Sequence, residues 1–283
     1  MSGFDSLQSG TAVPQPSALK RAKGVIRSAV HLGQAASARG LALTPRCPRF
    51  SGAFASRAQA LASLPAARRS GYDDAGIADV SFAQMCERVS WDYPVIFWLE
   101  RLLADSATLI DAGGHLGTKY IAFSGVLDLS AISWTVYDLP GIVTAARQRQ
   151  AAGTIPVEIS FQSRLEDLPA TNLLLASGLL QYLDMPFAAL LGALKQPPKH
   201  ILLNKVALRD GPGLFTIERI GAGRVPYQIR NRGLWEAEIA ALGYRISDTW
   251  EIRDLGHVIP THPWLGRSES RGYHLIRNED PPN

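Results

Sequence analysis

The amino-acid sequence predicts an α/β protein built on a mostly parallel sheet with helices on both faces. Short apolar runs alternate with helix-length segments from residue 107 onward. A glycine-rich turn joins the first of these runs to a helix, and 46% of the residues are apolar against 19% charged, which is a globular balance. Because helix-length segments separate the strands, consecutive strands are expected to run parallel through right-handed crossovers.

The first predicted region is a basic extension over residues 1–50, either weakly ordered or helical. Four prolines interrupt it, and residues 17–42 have the composition of a basic amphipathic helix or of an organelle transit peptide. Residues 1–72 carry a formal charge of +9, whereas the rest of the chain carries −5. We interpret this arm as solvated, or as a contact for an anionic membrane surface, an acidic partner or an anionic substrate. Nucleic acid is not expected, because the arm is poor in aromatic residues that stack on bases.

The second predicted region, residues 51–106, is a helical cap with helices near 53–64, 81–88 and 93–103. The third region, residues 107–283, holds the sheet. Its predicted strands are residues 108–110, 133–137, 157–161, 172–176, 200–206, 244–252 and 273–277. The predicted helices between them are residues 118–127, 141–151, 186–195 and 232–242. Residues 215–230 form either a lid or a surface hairpin.

Composition excludes several classes of protein. Cys47 and Cys86 stand far apart, so neither a disulfide framework nor a zinc site is expected. His257 and His262 lie in one loop without a third ligand nearby, and surface positions are expected for them rather than a metal site. No apolar run reaches the roughly 18–20 residues of a membrane span. We therefore expect a reduced, cytoplasmic protein.

The glycine-rich turn, residues 111–117 (DAGGHLG), is the first candidate binding site. In an open parallel sheet, ligands bind beyond the carboxyl ends of the strands. Gly113 and Gly114 allow positive φ and close approach of a ligand, and Gly117 allows the helix to start close to the strand. Asp111 either accepts a hydrogen bond from the ligand or orders the loop.

Asp138 is the second candidate, because it ends the next predicted strand, 27 residues after Asp111. An acid at this position can accept both hydroxyls of a ribose. The spacing of the glycines does not match the G-x-G-x-x-G dinucleotide motif, and the chain has neither a phosphate loop nor a Tyr followed four residues later by Lys. These absences favour a nucleoside cofactor other than a nicotinamide.

Residues 111–117 resemble motif I, D/E-x-G-x-G-x-G, of the class I S-adenosylmethionine-dependent methyltransferases, with His115 in place of the middle glycine. Residues 177–183 (SGLLQYL) and 138–140 (DLP) resemble a bacterial group of predicted methyltransferases. Residues 50–52 and 71–73 look like early landmarks of that group. The resemblance covers residues 50–255 and leaves the basic arm outside.

The resemblance implies a Rossmann-like class I methyltransferase fold with a seven-stranded sheet, S-adenosyl-L-methionine as cofactor, and methylation of an oxygen or nitrogen on a small-molecule or glycan-precursor acceptor. The cofactor-binding residues that it implies are Asp111, Gly113, Gly114, Gly117, Asp138, Leu139, Gln162, Ser163, Ser177 and Gly178. No metal is implied, and a homodimer is left open.

Three candidate catalytic residues follow from the same motifs. His115 lies in the turn and either acts as a base or caps the turn. Gln181 and Tyr182 follow the fourth strand, where related enzymes line the cleft, although Tyr182 is equally well explained by core packing. Gln162 and Ser163 stand where many class I enzymes have an acid for the adenine. This departure keeps open a non-catalytic methyltransferase-like scaffold. An NAD(P)-dependent oxidoreductase is the other alternative, because it can have the same architecture.

Overall fold

The computed structural model describes residues 18–42, 44, 46–65, 82–221 and 223–278, which contain ten strands and eight α-helices. The strands are β1 (Phe50–Phe54), β2 (Thr108–Ala112), β3 (Ser133–Tyr137), β4 (Ile159–Gln162), β5 (Leu173–Ser177), β6 (His200–Arg209), β7 (Leu214–Ile220), β8 (Gly223–Asn231), β9 (Tyr244–Glu251) and β10 (Glu269–Arg277). The helices are α1 (Ala18–Ala42), α2 (Arg57–Ala62), α3 (Phe82–Met85), α4 (Tyr93–Leu102), α5 (Thr118–Phe123), α6 (Pro140–Ala151), α7 (Phe187–Gly192) and α8 (Arg232–Ala241).

Strands β2 to β6 form the parallel part of the sheet, in the order β4-β3-β2-β5-β6. β10 lies antiparallel between β6 and β9. The mostly parallel α/β sheet that the sequence predicts is therefore present. β2 has β3 on one side and β5 on the other, so the strand order reverses at β2. A crevice opens at such a reversal, beyond the carboxyl ends of the strands.

The central strands are buried on both faces, as parallel strands usually are. Leu173, Leu174 and Leu175 of β5 are all fully buried. One core on the first face includes Phe123 and Trp134, and a second on the opposite face includes residues such as Phe187 and Trp235. These two layers hold the ends of β2, β3 and β5 in fixed relative positions.

Three further strands extend the sheet, so the predicted total of seven was too low. β7 and β8 form an antiparallel hairpin over residues 214–231, β1 pairs with β7, and β8 joins the far end of β6. The segment expected to be either a lid or a hairpin is therefore a hairpin within the sheet. Its charged residues hid the strand alternation, because β7 contains both Glu218 and Arg219.

The N-terminal part follows the predictions in some places only. A helix forms over Ala18–Ala42, and the guanidinium of Arg39 lies 5.5 Å from the Trp264 ring. The helix predicted for 53–64 is confined to Arg57–Ala62, because Phe50–Phe54 pairs with β7 instead. The predicted landmark at residues 71–73 lies outside the described residues. No helix in the described ranges is long and apolar enough to cross a membrane.

Candidate active site

The glycine-rich turn begins directly after β2 and lies against β3. The Gly113 N–H donates to the Tyr137 carbonyl at 2.8 Å, and Gly113 has φ of 71°. A Cβ at Gly113 would lie 3.0 Å from the Leu179 side chain, and one at Gly114 would lie 2.5 Å from Asp111 Oδ2. Glycine is therefore required at both positions, because the turn packs against side chains from β2 and from the segment after β5.

His115 adopts a backbone conformation that is normally reserved for glycine. Its φ is 56°, its side chain is buried, and its N–H donates to Asp138 Oδ2 at 2.8 Å. Asp138 Oδ1 accepts the Leu139 N–H, also at 2.8 Å. His115 thus keeps the shape of the glycine that it replaces. This geometry favours its role in the turn, and its catalytic role stays a prediction.

Asp111 is a buried acid with an unused hydrogen-bonding atom. Its side chain is 1% exposed, Oδ2 accepts the Trp134 Nε1–H at 3.3 Å, and Oδ1 has no hydrogen-bond partner among the described residues. Burial raises the pKa of Asp111 to about 7, while the hydrogen bond from Trp134 and the charges of Lys119 and Lys205 oppose this shift. A cation that reached Oδ1 would stabilise the ionised carboxylate.

A cavity of about 160 Å³ opens at the reversal of strand order, beside the turn. Four predicted cofactor residues, Asp111, Gly113, Gly114 and Ser177, line it together with Thr118, Lys119 and Lys205. A segment that precedes α4 covers the other side with Gln84, Met85, Glu87, Val89 and Trp91. The Ser177 Oγ is buried and, among the described residues, has no hydrogen-bond partner. The cavity is therefore polar at its base and partly apolar at its cover.

A buried ion pair joins the cover to the helix that follows the turn. Lys119 Nζ lies 2.7 Å from Asp92 Oδ1, with side-chain exposures of 7% and 0%. The second carboxylate oxygen of Asp92 accepts the Val89 N–H at 3.3 Å. Neither charge was identified from the sequence, because a lone Lys in a helix and a lone Asp before one usually face solvent.

Lys205 of β6 is a third functional candidate that was not predicted from the sequence. It is half-buried, and burial lowers its pKa to about 8. One signal was available in the sequence. Asn204 and Lys205 interrupt an otherwise apolar strand, and two polar residues inside a buried strand are unusual.

Gln181 and Tyr182 do not line the cavity. The Tyr182 hydroxyl donates to Glu218 Oε2 at 2.5 Å, and Arg49 donates to Oε1 of the same carboxylate. Glu218 is 1% exposed. Gln181 is buried, with its backbone carbonyl accepting the Gln228 N–H at 2.8 Å. These contacts connect the segment after β5 to the hairpin, and the catalytic roles of both residues stay predictions.

Six predicted cofactor residues lie outside the cavity lining, namely Gly117, Asp138, Leu139, Gln162, Ser163 and Gly178. Three of them, Leu139, Gln162 and Ser163, lie along the same edge of the sheet. Leu139 follows Asp138 and is 41% exposed. Gln162 and Ser163 are half-buried at the end of β4, and the Gln162 carbonyl accepts the Asp138 N–H at 3.1 Å. A ligand that extended from the cavity past Asp138 would reach them next.

The loop histidines, which were expected at the surface, are both half-buried. The His257 ring lies 4.3 Å from the Phe50 ring, and burial lowers the pKa of His257 to about 4. His262 is half-buried, and Thr261 Oγ1 lies 2.9 Å from its Nδ1. Among the described residues no group of three potential metal ligands is present. The two rings pack with the N-terminal strand and the last loop.

No protein-family model and no curated protein matches the sequence. Among solved structures, the chain is similar to the 1,6-didemethyltoxoflavin-N1-methyltransferase of Burkholderia thailandensis with bound 1,6-didemethyltoxoflavin and S-adenosylhomocysteine (18% identity, 67% of this chain and 79% of that chain, TM-score 0.45). It is also similar to human N-acetylserotonin methyltransferase in complex with SAM (18% identity, 74% and 58% covered, TM-score 0.47). A third is the O-methyltransferase from a trans-AT PKS multienzyme of Brevibacillus brevis in complex with S-adenosyl-L-homocysteine (10% identity, 66% and 72% covered, TM-score 0.48).

Proposed function

We propose that this chain is an S-adenosylmethionine-dependent methyltransferase that acts on a small-molecule acceptor. The main support for this proposal is the buried and only partly hydrogen-bonded carboxylate of Asp111. Asp111 is 1% exposed, one of its oxygens lacks a partner among the described residues, and the residue lines a cavity bordered by glycines. A buried carboxylate of this kind is costly unless a ligand uses it. The amino group of a bound methionine moiety is a cation of suitable size for this position.

The residues around Asp111 fit the methionine end of the cofactor. Gly113 and Gly114 present backbone without side chains, and Ser177 offers a buried hydroxyl. About 160 Å³ is enough for an amino-acid-sized group but not for the whole cofactor. The nucleoside would therefore extend along the ends of the strands towards Asp138.

Asp138 suits the ribose in this arrangement. Its two oxygens already accept N–H groups from His115 and Leu139, which fixes the orientation of the carboxylate. A carboxylate oxygen has more than one acceptor site, so each can accept a ribose hydroxyl as well. Gln162 and Ser163 would then border the adenine with neutral hydrogen-bonding groups.

When bound, the cofactor supplies an activated methyl group on a sulfonium. The protein contributes binding, orientation and exclusion of water, which account for much of the rate in a displacement of this kind. Asp111 orients the amino end, the glycine-rich turn fixes the backbone beside it, and the cover formed by residues such as Met85 and Trp91 limits access of water to the cavity.

The sheet argues against a nicotinamide-dependent oxidoreductase. The dinucleotide-binding order places a sixth parallel strand beside the fifth, whereas here the antiparallel β10 lies next to β6. The turn also lacks the glycine spacing of the dinucleotide motif. We further propose that the methyl acceptor is an oxygen or nitrogen atom of a small molecule or of a glycan precursor.

Isothermal titration calorimetry with S-adenosylhomocysteine tests the proposal. We expect low-micromolar binding by the wild-type chain and at least tenfold weaker binding by Asp138→Ala, since a lost charged hydrogen bond costs about 1.5–3 kcal/mol. NADH is the comparison ligand, and Asp254→Ala, at an exposed acid outside the cavity lining, is the matched control. Absence of S-adenosylhomocysteine binding by folded wild-type protein, or preferential binding of NADH, would contradict the proposal.

A further inference from the structure

Strand β6 contains a β-bulge at the cavity. The register between β6 and β10 shifts at Gly272, so that Asn204 and Lys205 together lie opposite this one residue. Lys205 has φ of 60°, a left-handed conformation that residues other than glycine rarely adopt. Bulges beside active sites turn a side chain towards a direction that a regular strand does not allow. The backbone of β6 is thus bent at the residue that enters the cavity.

The bulge is held from two sides. Asn204 is 1% exposed, its Nδ2 donates to the Trp91 carbonyl at 3.1 Å, and its Oδ1 accepts the Trp250 Nε1–H at 3.1 Å. At Gly272 a Cβ would lie 2.0 Å from the Trp250 ring, so only glycine fits under this ring. The cover segment and β9 therefore fix the direction of the Lys205 side chain.

The amine of Lys205 lies against the segment that follows β5. A Cβ at Gly178 would lie 3.2 Å from Lys205 Cε and 3.3 Å from Nζ. Gly178 follows Ser177, which lines the same cavity. The amine thus lies beside Gly178, in the same cavity as the proposed methionine site.

Lys205 has no ion-pair partner among the described residues. Of the acids near it, Asp92 pairs with Lys119, and Asp111 interacts with Lys205 only through a longer-range electrostatic attraction. Glu87, which also lines the cavity, is exposed. Burial, followed by the charge of Lys119, lowers the pKa of Lys205 to about 8, against the opposing charges of Asp92 and Asp111. About a tenth of the amine therefore has a free electron pair at pH 7, and about half of it at pH 8.

We propose that Lys205 is the general base for an acceptor whose reacting atom arrives with a proton, such as a hydroxyl. This inference rests on the proposed function. The neutral Nζ takes the proton of the acceptor O–H, and the electron pair of that bond stays on oxygen. This oxygen bonds the methyl carbon as the carbon–sulfur electron pair leaves on sulfur. The ammonium then releases its proton to water, which restores the amine.

The position of the amine is tested by comparing two ligands that differ in one charge. S-adenosylmethionine carries a sulfonium, whereas S-adenosylhomocysteine has a neutral sulfur, so a protonated Nζ near the sulfur weakens binding of the first only. We expect the affinity for S-adenosylmethionine relative to S-adenosylhomocysteine to rise about tenfold between pH 6.5 and 9. Titration of Asp111 cancels in this ratio, because both ligands have the same amino group.

The variant Lys205→Met removes the charge and keeps a long side chain at the same backbone position. We expect its affinity ratio to be independent of pH, whereas Lys195→Met, at an exposed lysine, keeps the wild-type dependence. Competitive acetylation of the wild type, followed by mass spectrometry, needs no variant. It should give a midpoint for Lys205 near pH 8 and at least tenfold protection by S-adenosylhomocysteine, with exposed Lys195 as reference.

The outcomes separate this inference from the proposed function. If neither nucleoside binds the wild-type chain, both fail. If both bind and the affinity ratio is independent of pH, or if Lys205→Met keeps the wild-type dependence, the role of Lys205 is overturned and the proposed function stands. Acetylation of Lys205 that S-adenosylhomocysteine does not slow would also overturn it.

Discussion

Lys119 and Asp92 form a buried ion pair, with Nζ 2.7 Å from Oδ1. The pair connects α5, which follows the glycine-rich turn, to the segment that covers the cavity. An ion pair of this kind contributes little net stability by itself, because desolvation offsets the attraction between the charges. Removal of only one of the two charges lowers stability strongly, however, because the other charge stays buried without its partner. The pair therefore makes the position of the cover depend on the turn.

We expect Asp92→Asn to lower the free energy of unfolding by about 3–5 kcal/mol, because it leaves the Lys119 ammonium without a counter-charge. Urea denaturation measures the change. The double variant Asp92→Asn/Lys119→Met should regain part of the loss, whereas Glu100→Gln, in an exposed pair, should change stability by less than about 0.5 kcal/mol. A loss at Asp92 no larger than at Glu100 would contradict the interpretation.

Asp111→Asn should stabilise the protein at pH 8 and weaken ligand binding. The pKa of Asp111 is about 7 in the folded chain and 3.8 ordinarily, so the folded state favours the protonated form. The contribution of this carboxyl to stability is therefore lost as pH rises between these two values. At 1.36 kcal/mol per pKa unit, the variant should be more stable by roughly 2–4 kcal/mol at pH 8 and by less at pH 5.

Urea unfolding at the two pH values measures this difference, and calorimetry with S-adenosylhomocysteine measures the accompanying loss of affinity. An equal stability gap at pH 5 and pH 8 would show that Asp111 is not the titrating group. Asp254→Asn, at an exposed acid, is the control.

Gly114→Ala should destabilise the turn by about 1–3 kcal/mol, the usual cost of overpacking. The new Cβ would lie 2.5 Å from Asp111 Oδ2, so the carboxylate would have to move. Gly192→Ala, at the end of α7 where nothing lies within 4 Å, should be neutral or slightly stabilising. Thermal unfolding of the two variants with and without S-adenosylhomocysteine checks both effects. If the ligand raised the unfolding temperature of Gly114→Ala as much as that of the wild type, the turn would not be a ligand site.

Tyr182→Phe distinguishes a structural from a catalytic role of this residue. The hydroxyl donates to the buried Glu218 carboxylate, and a hydrogen bond to a charged group contributes about 1.5–3 kcal/mol. We expect a loss of stability of this size with unchanged affinity for S-adenosylhomocysteine. Tyr93→Phe, at a residue that is 58% exposed, should change neither. Stability equal to wild type would leave the catalytic prediction as the better one.

The parallel strands could be predicted because a strand that is buried on both faces is a nearly continuous apolar run in the sequence. Leu173–Ser177 and Ser133–Tyr137 are short apolar runs between helix-length segments. Phe50–Phe54 could not be predicted as a strand, because its pairing partner lies more than 150 residues away and its Gly52 interrupts the strand pattern. Local sequence contains no information about such a partner.

The site was predictable to a similar extent. Residues within one motif, such as Asp111 and Gly114, meet at the cavity because the turn itself places them there. Lys119, Asp92 and Lys205 come from three separate elements, and only the fold brings their side chains close together. Tyr182 lies within a recognisable motif, but its hydroxyl donates to Glu218 of the hairpin and the residue does not line the cavity. This contact could not be predicted, because the hairpin was not predicted as part of the sheet.

The pairing of β1 with β7 has a consequence for how the chain folds. Arg49 and Glu218 are 169 residues apart, so β1 emerges from the ribosome long before β7 has been synthesised. Contacts this distant along the chain slow folding, because a long loop must close first. A chain shortened past Phe54 would keep the hairpin but leave the outer edge of β7 with unpaired backbone groups, and such an edge promotes aggregation. Removal of the basic arm should therefore stop before Arg49.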